Sequence, residues 1–236
     1  YKRQVLDLLK ELQLEKNTIV FFAGDNGGQD RFRTKEKPRG FFGPNVNPKT
    51  GVAFRGGKGN LYEGGLRIPS IVRWPGKIQA GRVSELVWYQ PDLLPTLAEL
   101  TGTQPPPDID GLSILPTILG ESVVGRTQAQ HPFLYWEFNQ QTAVRQGKWK
   151  AIQFKKQSEW ELYDLSQDVS EAHNVAANHP SVLHQLQDLA KQSHAAERPG
   201  TYADENRTIH EQDRQAKWGS AGAPPRRKRA ARQSAQ

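Results

Sequence analysis

A chain of 236 residues is long enough for one large domain or a domain with a small appendage, and its hydrophobic share is a low 36%. It has no cysteine, which excludes disulfides, thiolate metal sites and a cysteine nucleophile within these residues, and no apolar run approaches the ~20 residues of a membrane span. Of the net charge of +7, six units come from basic residues between Lys217 and the end, where no acidic residue occurs, so the body is nearly neutral and carries no nucleic-acid signal.

The chain opens at Tyr1 and contains no methionine, so its true start, with any signal peptide, is expected upstream. Residues 2–14 place Val5, Leu8, Leu9 and Leu12 at i, i+3, i+4 and i+7, which predicts an amphipathic helix. Residues 18–23 (TIVFFA) are β-branched and aromatic without polar alternation, which predicts a strand buried on both faces in a parallel or mixed sheet. Residues 24–57 read as a long loop, and residues 68–74 as a second apolar strand closed by Pro75-Gly76. Residues 91–100 predict a helix stopped by Gly102, with Pro95 in its first turn or at a kink; residues 112–119 predict a short helical segment ending at Gly120.

Past that point the pattern changes to short strands at 133–138, 142–144, 148–154 and 160–164, an antiparallel meander. Residues 180–193 then bring Val182, Leu183, Leu186, Leu189 and Ala190 onto one helical face, with Pro180 suited to the first turn. The fold class is α/β. It divides into an α/β part over 1–125, a small subdomain of antiparallel sheet plus helix over 126–197, and a basic, disordered tail over 198–236. The tail holds a short glycosylation-like triplet at Asn206 and a basic cluster at 226–229 without interleaved aromatics, so it reads as solvated.

Two constellations carry chemistry. Asp25-Asn26-Gly27-Gly28 follows the first strand directly, at the strand end where open α/β sheets bind ligands. Its carboxylate and amide oxygen are hard donors suited to calcium or magnesium, although the same tetrapeptide also makes an ordinary turn. Gly56-Gly57-Lys58-Gly59 frames a lysine with glycines, so an anion can approach it closely; a solvated basic loop is the alternative. No Ser or Thr follows Lys58, so a Walker-type nucleotide loop is disfavoured. Glu63 and Arg67 are expected to pair with each other or with the scaffold. The six histidines show no metal spacing; His184 and His194 are expected to be solvated, and Trp149 and Trp160 to occupy core or sheet positions.

In order along the chain, 21–28 (FFAGDNGG), 55–59 (RGGKG), 62–69 (YEGGLRIP), 73–76 (RWPG), 92–97 (DLLPTL), Asp110-Gly111, 144–150 (VRQGKWK) and 161–165 (ELYDL) resemble the type I, arylsulfatase-like sulfatases of the alkaline phosphatase superfamily. The resemblance runs from the start to about residue 195. It implies that the chain is the C-terminal portion of a sulfatase-type mixed-sheet sandwich, with 1–125 belonging to the catalytic domain. It implies that Asp25 and Asn26 ligate calcium, with magnesium possible, and that Lys58 holds a sulfate oxygen and acts in catalysis. It also implies a formylglycine nucleophile made from Cys or Ser in a Cys/Ser-x-Pro-x-Arg motif, which occurs nowhere in these residues. The implied function is hydrolysis of carbohydrate or aryl sulfate esters in the periplasm or outside the cell, on a sulfated small molecule or glycan, with no nucleic-acid partner and no membrane span. Ala23-Gly24 departs from the hydroxyl residues the family often has before the Asp, but keeps those positions small. The competing readings are a phosphatase or phosphodiesterase of the same superfamily, and a truncated, non-catalytic anion-binding protein.

Overall fold

Helical periodicity sets the first element, α1 (Lys2–Glu11), which a single 3-10 turn at Glu15–Asn17 separates from β1 (Val20–Ala23). The computed structural model describes residues 2–29, 45–47 and 50–195. Strand β1 pairs with β2 (Ser70–Arg73) in an antiparallel register running from Val20 opposite Arg73 to Ala23 opposite Ser70. An antiparallel pair agrees with the expected mixed sheet and not with a purely parallel one, and the expected burial of both faces is corrected. Cross-strand neighbours Phe22 and Ile71 are 37% and 62% exposed. An apolar run specifies burial but carries no strand direction, and the long connection between these strands permits either. The base of β2 is tied to the 3-10 turn by the Arg73–Glu15 ion pair at 3.0 Å and by the Trp74 indole N–H, which donates to the Lys16 carbonyl at 2.9 Å. Among the described residues the apolar stripe of α1 also stays open, with Val5, Leu8 and Leu12 each more than half exposed.

Helix α2 (Glu63–Leu66) is one turn long, and α3 (Leu93–Thr101) follows a 3-10 turn at Gln90–Asp92. Pro95 falls in the first turn of α3, where its missing N–H has no helical partner to lose, and Gly102 ends the helix with φ of 68°, a left-handed cap. Asp92, fully buried, accepts the Tyr89 and Leu112 N–H groups at 3.0 and 2.7 Å and meets His131 Nε2 at 2.8 Å, which pins the start of α3 to the approach to the second sheet. Helix α4 (Leu115–Leu119) ends at Gly120 as expected; α5 (Glu121–Val124) follows it at once.

The meander forms as predicted. Strands β3 (Leu134–Phe138), β4 (Gln141–Gln146), β5 (Trp149–Gln153) and β6 (Glu161–Asp164) pair antiparallel in chain order. Asn139 and Gln140 join β3 to β4 with φ of 48° and 66°, the doubly left-handed geometry whose twist suits a two-residue hairpin. Side chains alternate across the sheet, so each strand serves two faces. On one face Val144, Ala151 and Leu162 pack against Leu186 and Ala190 of α6 (Pro180–Ser193). On the other, Ala143, Ile152 and Tyr163 pack against Leu61 and Tyr62, which follow the glycine-framed lysine. The sheet is thus the floor under that lysine segment.

Residues up to His194 form one compact unit. No helix among the described residues is long and apolar enough to cross a membrane. The expectations for the tail over 198–236, for the Asn206 triplet and for much of the loop between β1 and residue 57 fall outside the described residues.

Candidate active site

The two loops singled out in the sequence are bonded to each other through their backbones. The Lys58 N–H donates to the Gly28 carbonyl at 2.9 Å and the Gly27 N–H to the Gly65 carbonyl at 2.8 Å. The Asn45 amide nitrogen bridges both loops, donating to the carbonyls of Gly28 and Gly64 at 2.9 and 3.0 Å. Gly27 has to be glycine, because a Cβ there would collide with the Gly64 carbonyl. The Lys58 backbone therefore lies one hydrogen bond from a residue three positions after Asp25.

Within this junction the side chains divide into two groups. Asp25 and Lys58 are exposed and Asn26 is half-buried, and among the described residues none of the three has a side-chain hydrogen bond or ion pair. Nearby, the side chains of Arg55, Tyr62, Tyr163 and Glu161 bond to one another. The Arg55 guanidinium lies 4.0 Å from the Tyr62 ring centroid, donates to the Tyr163 hydroxyl at 2.6 Å and pairs with Glu161 at 3.1 Å. The hydroxyls of Tyr62 and Tyr163 both donate to Glu161 Oε2 at 2.7 Å, and burial, reinforced by that carboxylate, pushes both phenols up, so they stay protonated donors.

Below the loop lies a buried set of charges. Lys150 of β5, wholly inaccessible, contacts Glu63 Oε1 at 3.0 Å and Glu171 Oε1 at 2.7 Å. Glu171 Oε2 accepts the Glu63 backbone N–H at 2.6 Å, and Arg67 Nε meets Glu63 Oε2 at 2.8 Å. Glu63 thus pairs both with Arg67 and with the scaffold, the two options expected of it. Burial alone would raise the Glu63 carboxyl, but Lys150 and Arg67 outweigh it and hold the group down at about 2. For Glu171 burial prevails over Lys150, and its carboxyl is pushed up. Sequence reading missed Lys150, Glu161 and Glu171 as parts of this support. The available signal was Lys150 itself, a lysine two places before Ile152 in an apolar strand and so on the same inward face.

A divalent cation fits the Asp25–Asn26 end of the junction by donor chemistry, since a carboxylate and an amide oxygen are the hard ligands calcium and magnesium take. Two donors are a partial set, and no group of three His, Cys, Asp or Glu residues able to hold a metal occurs among the described residues. His184 is exposed as expected. His194, also exposed, lies 2.9 Å from Glu137 rather than standing only in solvent. Trp149 and Trp160 pack on the α6 side of the sheet, consistent with core or sheet positions.

A family model described as the C-terminal part of N-sulphoglucosamine sulphohydrolase matches residues 57–196, more than half of the chain, and the general sulfatase model matches residues 3–103. The chain belongs to the sulfatase family. The C-terminal match opens at Gly57, so the lysine loop, the meander and α6 fall within one family unit, as their packing requires. This sulfatase chain is 37% identical over 175 residues to the N-acetylgalactosamine-6-sulfatase of Rattus norvegicus, covering 73% of this chain and 30% of the relative. It is 33% identical over 204 residues to the N-acetylgalactosamine-6-O-sulfatase of Bacteroides thetaiotaomicron, covering 79% and 38%. The solved structure of BT4656 with its substrate D-glucosamine-2-N,6-O-disulfate superposes with a TM-score of 0.59 at 25% identity, covering 80% of this chain and 36% of that one. The chain spans about a third of the length of the curated relatives it matches.

Proposed function

We propose that these residues serve the hydrolysis of sulfate esters, with Asp25 and Asn26 as two oxygen ligands of a divalent cation, calcium first and magnesium second, and Lys58 as a ligand of the sulfate group. The observation that carries the reading is the backbone union of the two loops through Lys58 and Gly28, with the side chains of Asp25, Asn26 and Lys58 left without hydrogen bond or ion pair among the described residues. A cation bound there would polarise the sulfate and stabilise an ionised nucleophile. The lysine contributes separately. Its ammonium would offset negative charge as the S–O bond to the leaving group breaks. By the family resemblance the nucleophile would be a formylglycine, whose motif does not occur in these 236 residues.

The substrate class proposed is a sulfated carbohydrate, in line with relatives named for N-acetylgalactosamine 6-sulfate. A periplasmic or secreted location is part of the same proposal. The test is made in the complete sulfatase containing these residues. Lys58→Ala should lower kcat by 10²–10³, equivalent to ~2.7–4 kcal/mol, with little change in thermal midpoint. Chelation of divalent cations should lower both turnover and thermal midpoint, and Asp25→Ala should abolish the recovery of the midpoint on adding calcium. Near-normal turnover of Lys58→Ala, or a midpoint indifferent to calcium, would count against the reading.

A further inference from the structure

Lys58 is set in a backbone that resists definition by itself: it follows two glycines and precedes Gly59, whose φ of 97° is open to few other residues. Something outside the loop has to fix it. We infer that Gln141 is the positioning residue that aims Lys58, an inference that rests on Lys58 being the sulfate ligand. Gln141 is buried, 5% exposed. Its Oε1 accepts the Leu61 N–H at 3.0 Å and its Nε2 donates to the Gly59 carbonyl at 3.1 Å. Because Leu61 N–H can only donate and the Gly59 carbonyl can only accept, the amide orientation is unique. One planar side-chain group thus engages the loop as a neighbouring strand's peptide would, and it grips the residue directly after Lys58. On the near side the Lys58 N–H is held by Gly28.

The placement of Gln141 is itself rigid. It is the first residue of β4, opposite Phe138, set by the two-residue turn at Asn139–Gln140 rather than by a flexible connection. The charged set around Lys150 secures α2, several residues further on, and Asn60 closes only its own turn with Gly57. Glutamate in place of Gln141 would keep the bond to Leu61 and lose the one to Gly59; leucine would lose both.

The test uses the complete enzyme with a sulfated N-acetylgalactosamine, reading kcat, KM and thermal midpoint for Gln141→Leu, Gln141→Glu, Lys58→Ala and the double variant Lys58→Ala/Gln141→Leu. Leu186→Ala, on the far face of the sheet, is the stability control. Gln141→Leu should lower kcat by roughly 10–100-fold, with a smaller change in KM. The double variant should be no worse than Lys58→Ala, because a lysine already removed cannot be misaimed. Leu186→Ala should lower the midpoint without that loss of kcat. A Gln141→Leu enzyme that loses only its midpoint, or whose kcat loss adds in full to that of Lys58→Ala, overturns the inference. Should Gln141→Leu not fold, Gln141→Glu decides: a reduced kcat is expected, and a wild-type kcat overturns it. A near-normal Lys58→Ala enzyme would instead sink the function on which the inference rests.

Discussion

Two carboxylates contact the same buried ammonium and end with opposite proton affinities. Glu63 has Lys150 and Arg67 beside it, and their positive charge overcomes the burial that would raise its carboxyl. Glu171 shares only Lys150, faces the charge of Glu63, and is pushed up by burial. Removing the charge from Glu63 should therefore cost more than removing it from Glu171. Glu63→Gln is expected to destabilise by about 3–5 kcal/mol, the usual penalty for breaking a buried pair, and Glu171→Gln by clearly less; urea midpoints compare the two. The pH dependence follows the signs. The Glu63 contribution is complete above the ordinary carboxyl range and is lost as pH falls toward about 2. The Glu171 contribution runs the other way, present at low pH and lost as pH rises through its raised value. Glu63→Gln should accordingly lose stability less steeply than the parent as pH falls below the ordinary carboxyl range, and Glu171→Gln should lack the parent's loss of stability as pH rises above that range. A Glu63→Gln protein with the parent's acid profile would show that this carboxylate is not held down.

At the scale of elements, what was legible depended on whether the information was local. Pro180 and the spacing of Leu186 and Ala190 marked α6 at the ends it has, and the meander strands emerged within a few residues of their predicted limits. Gly102 ended α3 as read. Helix α2 was not legible, because Gly64 and Gly65 are poor helix formers and the turn forms where the chain packs on the second sheet. The antiparallel pairing of β1 with β2 was not legible either, since TIVFFA encodes burial without direction. Both faces of the meander are committed, and each can be tested alone. Leu186→Ala empties a fully buried site under α6 and should cost about 2–5 kcal/mol in chemical denaturation, leaving the lysine face intact. Gly27→Ala should instead separate the two loops. Its Cβ meets the Gly64 carbonyl, so activity in the complete enzyme should fall further than thermal stability does.

For the whole molecule, the sheet acts as a platform: α6 closes one side and the other carries the lysine loop, to which the Asp25–Asn26 turn is bonded. The two loops proposed as the site, which carry Asp25, Asn26 and Lys58, stood out in the sequence because glycines next to polar residues form a local pattern. The supports did not, because Lys150 lies 87 residues from Glu63 and Gln141 lies 80 from Leu61, and no local pattern links such pairs. On the proposed function, an oxygen-donor pair and a lysine from separate loops serve one sulfate group. A crystal structure of the complete enzyme with calcium and a sulfated sugar tests it most directly. The expected result is a cation bonded to Asp25 and Asn26, with Lys58 Nζ at about 3 Å from an oxygen of the same sulfate. A cation held elsewhere, or a sulfate bound without Lys58, would contradict it.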